Sequence, residues 1–204
     1  MPTLHDYLDS GNGYKIRLLL AHLKQPYRWI GVDIMKGETR TPQFLAKNPN
    51  GRIPTLELDD GTFLAESNAI MWYLGEGTPY VPADRLGRAQ ALQWMFFEQY
   101  SHEPYVATPR FIVKHMPKDS PRFKELPERM AKGRDALAVM DRHLSSRTFF
   151  VNERYSIADI ALYAYTHVSP EAGFDLSPYP NVLSWIGRVA QQPGHVLITD
   201  RPAS

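Results

Sequence analysis

The chain has 204 residues and a mass of 23.3 kDa, enough to bury a sizeable core in one or two domains. Lys plus Arg (23) and Asp plus Glu (22) nearly cancel, leaving a net charge of +1. That balance provides no basic footprint for nucleic acid or an anionic membrane. Cysteine is absent, which excludes a disulfide framework, a thiolate metal site and a cysteine nucleophile. Any thiol chemistry must use a thiol that arrives from outside.

The chain begins Met1-Pro2-Thr3-Leu4-His5-Asp6, without the basic and apolar regions of a secretion signal. Thr3 to Leu8 reads as a strand. Asp9-Ser10-Gly11-Asn12-Gly13 punctuates it, and Ile16, Leu19, Leu20 and Leu23 then follow helical spacing until Gln25-Pro26. Tyr27 to Asp33 is rich in aromatic and β-branched residues, hence a second strand. Thr41-Pro42 looks like an N-cap followed by proline at the first helical position, opening a short helix to Ala46. Thr55 to Leu58 and Thr62 to Leu64 flank Asp59-Asp60-Gly61 as a hairpin. Ser67, a possible cap, opens a helix to Leu74. Its apolar run, Ala69 to Leu74, is far too short to span a membrane, so the expected location is the cytoplasm.

Gly75 to Pro82 carries two Gly and two Pro and reads as a linker. The expected division is therefore an α/β part over residues 1–76 and an all-helical part over residues 83–204. In the second part Leu86, Ala89, Leu92 and Phe96 share one face, with a bend expected at Pro104. Met130, Leu137, Met140 and Leu144 mark another helix. From Ser156 to His167 almost no polar face remains, which predicts a central helix. Ser156 and Asp159 have the spacing of a capping box. Val182, Trp185, Ile186 and Val189 mark a last helix.

Common catalytic signatures are missing. There is no His-Glu-x-x-His pair, so no metal site is expected, and no Gly-x-Ser-x-Gly elbow. Gly11-Asn12-Gly13 begins a dinucleotide fingerprint, but Ile16 stands where the third glycine belongs. Three short segments carry more. Ser10 to Gly13 lies between a strand and a helix, where backbone N–H groups favour an anion; the Ser10 hydroxyl and Asn12 amide add donors that suit a thiolate. The plainer alternative is an N-cap and a glycine turn. Arg52-Ile53-Pro54 enters a strand with a proline. A cis Ile53–Pro54 bond would turn the Ile53 backbone outward to pair with an extended peptide, while a trans bond is the commoner case. Glu66-Ser67 sits where a hairpin hands over to a helix. Glu66 suits an ammonium and Ser67 a carboxylate, the two charges of an α-amino acid head; capping alone would also account for the pair.

In order and spacing these segments resemble the glutathione S-transferase family, from residue 3 to about residue 190. The resemblance implies a thioredoxin-like α/β N-terminal domain followed by an all-α C-terminal domain. It implies that the Ile53 backbone, beside Pro54, pairs with the cysteinyl unit of glutathione. Glu66 and Ser67 would hold the γ-glutamyl head, and Thr39 or Arg40, with Arg52, would lie near the glycyl carboxylate. Ser10 to Ile16 is similar to the thiol-contact segment of bacterial Nu-class or theta-like members, with Ser10 and Asn12 at the sulfur. Tyr7, near the position used by tyrosine-type classes, is the alternative. Tyr105, Phe111, His115 and Tyr165 are acceptor-pocket candidates. The implied protein is a cytoplasmic homodimer that transfers glutathione to hydrophobic electrophiles in detoxification, with glutathione as co-substrate and no other cofactor. Two alternatives stay open: a glutathione-dependent disulfide reductase, and a non-catalytic binding module of the same fold.

Overall fold

β1 (Thr3–Asp6) is buried along its whole length. It lies inside a four-stranded sheet of order β2–β1–β3–β4, with β2 at Arg28–Gly31, β3 at Thr55–Glu57 and β4 at Phe63–Ala65. The structure is a computed structural model describing residues 1–202. β1 pairs parallel with β2 and antiparallel with β3, and β3 pairs antiparallel with β4. A parallel pair needs a crossover, which α1 (Gly11–His22) supplies. Between β2 and β3 lie a 3-10 turn (Glu38–Arg40) and α2 (Pro42–Leu45), the latter capped by Thr41 with proline in its first turn. α3 (Ser67–Gly75) follows β4 and packs against α1.

Three boundaries differ from those the sequence suggests. β1 stops at Asp6 because the Tyr7 carbonyl turns to accept the Ser10 N–H at 2.8 Å. Gly11 to Gly13 is not a loop but the first turn of α1. Residues 193–202, expected with the helical part, instead pack on α1 and belong with residues 1–76. Polar side chains of α1 cause this. Tyr14 Oη donates to the Val196 carbonyl at 2.7 Å, and Arg17 Nη1 donates to the Ile198 carbonyl at 3.0 Å.

The second unit, residues 77–192, contains α4 (Arg85–Phe97), α5 (Glu103–His115), α6 (Leu126–Leu144), α7 (Ile157–Thr166) and α8 (Pro180–Ala190). The bend expected at Pro104 takes the form of a π-helical stretch, Glu98–His102, joining α4 to α5. Pro104 has no N–H for the preceding turn, and the Glu103 N–H reaches back five residues to the Glu98 carbonyl. Every residue of α7 is buried, and it packs against α4, α5 and α8. Among the described residues no helix is long and apolar enough to cross a membrane.

Candidate functional site

Strand register decides where the candidate segments go. His5 of β1 stands opposite Thr55 of β3, and Thr55 stands opposite Ala65 of β4. β1 and β4 therefore leave the sheet, and β3 enters it, at the same edge. Ser10 to Gly13 follow β1, Ile53-Pro54 precede β3 and Glu66-Ser67 follow β4. β2 is parallel to β1 and ends at that edge too, with Thr39 and Arg40 in the turn beyond it.

Ser10 is the N-cap of α1. Its Oγ accepts from the Gly13 N–H at 3.5 Å, which leaves the hydroxyl proton to donate elsewhere. Gly13 is required for packing: a Cβ there would stand 1.5 Å from Asp6 Oδ1. Asp6 is fully buried beneath this turn, with Oδ2 3.1 Å from Arg17 Nε. Burial pushes its carboxyl up to about 6, against the pull of the Arg17 charge.

Asn12 ties α1 to α3. Ser67 Oγ donates to Asn12 Oδ1 at 3.3 Å, a contact between residues 55 apart in sequence. The same Ser67 oxygen accepts from Lys15 Nζ at 3.3 Å, and the Lys15 side chain is completely buried. Ser67 is thus the first residue of α3 rather than its cap. The cap position falls to Glu66, whose side chain makes no capping bond and whose backbone is left-handed, φ 66° and ψ 112°. With the Ser67 hydroxyl engaged, what α3 offers an anion is the N–H groups of its first turn. Glu66 itself is exposed.

The Ile53–Pro54 bond is cis, the less common of the two expected forms. Among the described residues no hydrogen bond within the protein occupies the Ile53 backbone, so its polar groups are left for an extended partner. Buried Asn48 holds this loop: Nδ2 donates to the Arg52 carbonyl at 2.8 Å, and Oδ1 accepts from the Asn50 N–H at 3.0 Å. Arg40 and Arg52 are exposed, whereas Thr39 is buried. Arg40 Nη1 donates to the Asn50 carbonyl at 3.1 Å and lies over Gly51, where φ is +62° and a Cβ would come within 2.5 Å of it. Tyr7 is half-buried just past β1. In the helical unit Tyr165 is buried, Tyr105 lies under Lys132 Nζ at 5.3 Å, and Phe111 sits 5.2 Å from the His115 ring.

Lys15 and Asn48 are absent from the sequence-based candidates. Lys15 leaves one trace, its place one helical turn after Asn12 and so on the same face. Asn48-Pro49-Asn50-Gly51 reads as turn composition, which hides the tethering role of its first residue.

Residues 10–76 match the model for the glutathione S-transferase N-terminal domain, and residues 94–193 match that for the C-terminal domain. The crystal structure of a glutathione S-transferase from Pseudomonas fluorescens superposes with a TM-score of 0.94 at 51% identity, covering 98% of this chain and 99% of that one. The chain belongs to the glutathione S-transferase family. Among its curated relatives, the disulfide-bond oxidoreductase YfcG of Escherichia coli is 31% identical over 198 residues, covering 92% of this chain and 89% of the relative. Elongation factor 1-gamma-B of Xenopus laevis is also 31% identical, over 98% of this chain but 48% of its own length. Within this glutathione S-transferase, every candidate glutathione contact except Tyr7 lies inside the N-terminal match, which begins at Ser10.

Proposed function

We propose that this family member binds glutathione at the shared sheet edge and holds its thiol as a thiolate for attack on electrophilic carbon. The Asn12–Ser67 hydrogen bond carries this reading. It couples the N-termini of α1 and α3, so two positive dipole ends serve one anionic ligand. Glu66 takes the ammonium of the γ-glutamyl head, and the first turn of α3 takes its carboxylate. The Ile53 backbone pairs with the cysteinyl unit. Arg40 and Arg52 serve the glycyl carboxylate, with Thr39 beneath them.

The Ser10 hydroxyl and the Asn12 amide donate to the sulfur. A cysteine thiol has a pKa of about 8.5, so a shift of two units needs about 2.7 kcal/mol in favour of the anion. One or two charge-assisted hydrogen bonds, about 1.5–3 kcal/mol each, supply it beside a helix terminus. The thiol proton passes to solvent. With a chloronitrobenzene acceptor, the sulfur–carbon bond forms and chloride leaves with the electron pair of the broken carbon–chlorine bond. Neither Ser10 nor Asn12 becomes covalent; both stabilise charge.

Two observations favour further readings. The similarity to YfcG, named a disulfide-bond oxidoreductase, favours disulfide reduction. Without cysteine in this chain, glutathione must then supply both sulfurs of that exchange. The similarity to elongation factor 1-gamma-B favours a non-catalytic module. We also infer a homodimer acting in cytoplasmic detoxification, with no cofactor beyond glutathione. The exposed aromatic pair Phe96 and Tyr100, 70% and 84% accessible, supports an interface on the helical unit.

The test is the ultraviolet thiolate band on glutathione binding, combined with turnover of a chloronitrobenzene and of hydroxyethyl disulfide. Ser10→Ala and Asn12→Ala should each lose roughly tenfold to a hundredfold in rate, and Tyr7→Phe little. A large loss confined to Tyr7→Phe would move the donor role to Tyr7. Disulfide turnover well above acceptor turnover would make the protein a reductase. Glutathione binding without a thiolate band or turnover would leave a binding module.

A further inference from the structure

β2 runs parallel to β1 and ends at the sheet edge that gathers Ser10, Ile53 and Glu66. Gln25 to Tyr27, which lead into β2, therefore lie at the opposite edge. Between α1, this turn and the segment 193–202 is an open cavity of about 420 Å³, a volume typical of a small-molecule site. Every residue lining it belongs to the same unit of the chain. Ala21, Pro26, Val196 and Pro202 supply apolar walls, and Arg17, Gln25, Tyr27, Asp200 and Arg201 the polar groups. Two of these polar groups are engaged by the fold. Buried Arg17 donates to Asp6 Oδ2 and to the carbonyls of Leu8, Ile198 and Asp200. Asp200 Oδ2 accepts from the Leu197 N–H at 2.7 Å. The other three are not engaged. Among the described residues the Gln25 amide and the Tyr27 hydroxyl form no hydrogen bond within the protein, and no carboxylate pairs with exposed Arg201.

Arg201 holds its guanidinium over the Trp29 ring, 5.6 Å from the centroid. A guanidinium stacked on a ring keeps its N–H fork in its own plane, where the fork matches the two oxygens of a carboxylate. Burial pushes the Tyr27 hydroxyl up to about 12, so at neutral pH it carries its proton and donates. We propose that this cavity is a binding site for a small aromatic carboxylate. The Arg201 fork takes the carboxylate, and the Tyr27 hydroxyl and Gln25 amide serve its remaining lone pairs. The ring of the ligand lies on the apolar wall formed by Pro26, Val196 and Pro202. One cation without a protein counter-charge calls for a single negative charge, and the apolar wall calls for a flat hydrophobic body. The proposal is independent of the glutathione reading, because none of these residues is a candidate glutathione contact.

The probe is β-naphthoate, titrated calorimetrically into the full-length protein, with β-naphthylmethanol as its uncharged counterpart. The wild type should bind the naphthoate, and the alcohol about tenfold more weakly. Arg201→Gln removes the charge from an exposed side chain. It should weaken the naphthoate about tenfold and leave the alcohol unchanged. Tyr27→Phe keeps the ring and removes the hydroxyl, for a loss of about threefold or more. Saturating S-hexylglutathione should leave the naphthoate affinity as it is. A wild-type protein that does not bind naphthoate would overturn the proposal. So would equal affinity for the alcohol, or full naphthoate affinity in Arg201→Gln. Displacement by S-hexylglutathione would also overturn it, by placing the naphthoate at the glutathione edge.

Discussion

Glu66 holds a left-handed backbone, φ 66° and ψ 112°, directly before α3, and its side chain stabilises nothing in that helix. For a residue with a Cβ such a conformation costs about 1–3 kcal/mol. The cost places a carboxylate at the junction of β4 and α3, where an incoming ammonium can meet it. Stability and binding should therefore part company in Glu66→Gly. Relief of strain should raise the unfolding free energy by about 1 kcal/mol, less whatever the freer unfolded chain takes back. Loss of a charged hydrogen bond should weaken glutathione tenfold or more, from about 1.5–3 kcal/mol. Denaturant unfolding and calorimetric titration of one preparation measure both. Unchanged affinity would remove Glu66 from the site, and a large loss of stability would assign it a structural duty instead.

Among the elements, α7 depends most on a single cap. All ten of its residues are buried, so its first-turn N–H groups have no water to turn to. Ser156 Oγ accepts from the Ala158 N–H at 3.3 Å, and Asp159 Oδ2 accepts from the Ser156 N–H at 2.9 Å. Asp159 does more than close this box, because Oδ1 also accepts from the Phe150 N–H at 3.2 Å and from Trp185 Nε1 at 2.9 Å. The two halves of the box are therefore unequal. Ser156→Ala should cost about 1 kcal/mol, an ordinary cap loss. Asp159→Ala strands four buried donors, the Ser156 hydroxyl among them at 3.0 Å, and should cost about 3–5 kcal/mol. Urea midpoints measured on both variants check this, and equal costs would show that the Phe150 and Trp185 contacts contribute nothing.

At the scale of the whole molecule, the helical unit leaves apolar surface uncovered. Phe96 is exposed in the last turn of α4, and Tyr100 stands out from the π-helical stretch. Beside them lies a cleft of about 330 Å³ lined by Phe97, Tyr100, Tyr105, Lys132 and Val139. Contiguous exposed aromatics of this kind mark an association surface. A two-fold dimer uses the same patch on both copies. Sedimentation at micromolar concentration should give twice the 23.3 kDa chain mass. Phe96→Asp with Tyr100→Asp should shift the protein toward the monomer. A wild-type chain that sediments as a stable monomer would refute the dimer.

Some features are legible from neighbouring residues because their physics is local. Thr41-Pro42 opens α2, Ser156 with Asp159 opens α7, and the unbroken apolar character of that segment puts it in the core. The absence of cysteine alone means that any thiol chemistry uses an external thiol. The three candidate glutathione-binding segments are also visible, each as a strand–helix junction or a proline at a strand entrance. Their meeting is not, since it follows from the register His5–Thr55–Ala65, which depends on pairing between strands far apart in sequence. The same holds for the Asn12–Ser67 bond across 55 residues. The burial of Lys15 is set by everything packed around it, and a lysine in an amphipathic helix usually faces water. The packing of residues 193–202 on α1 arises likewise from Tyr14 and Arg17 finding carbonyls nearly the whole chain away. Chain neighbours determine helix caps and periodicity, but hydrogen bonds that join distant segments or surround a buried charge are made only once distant elements have docked.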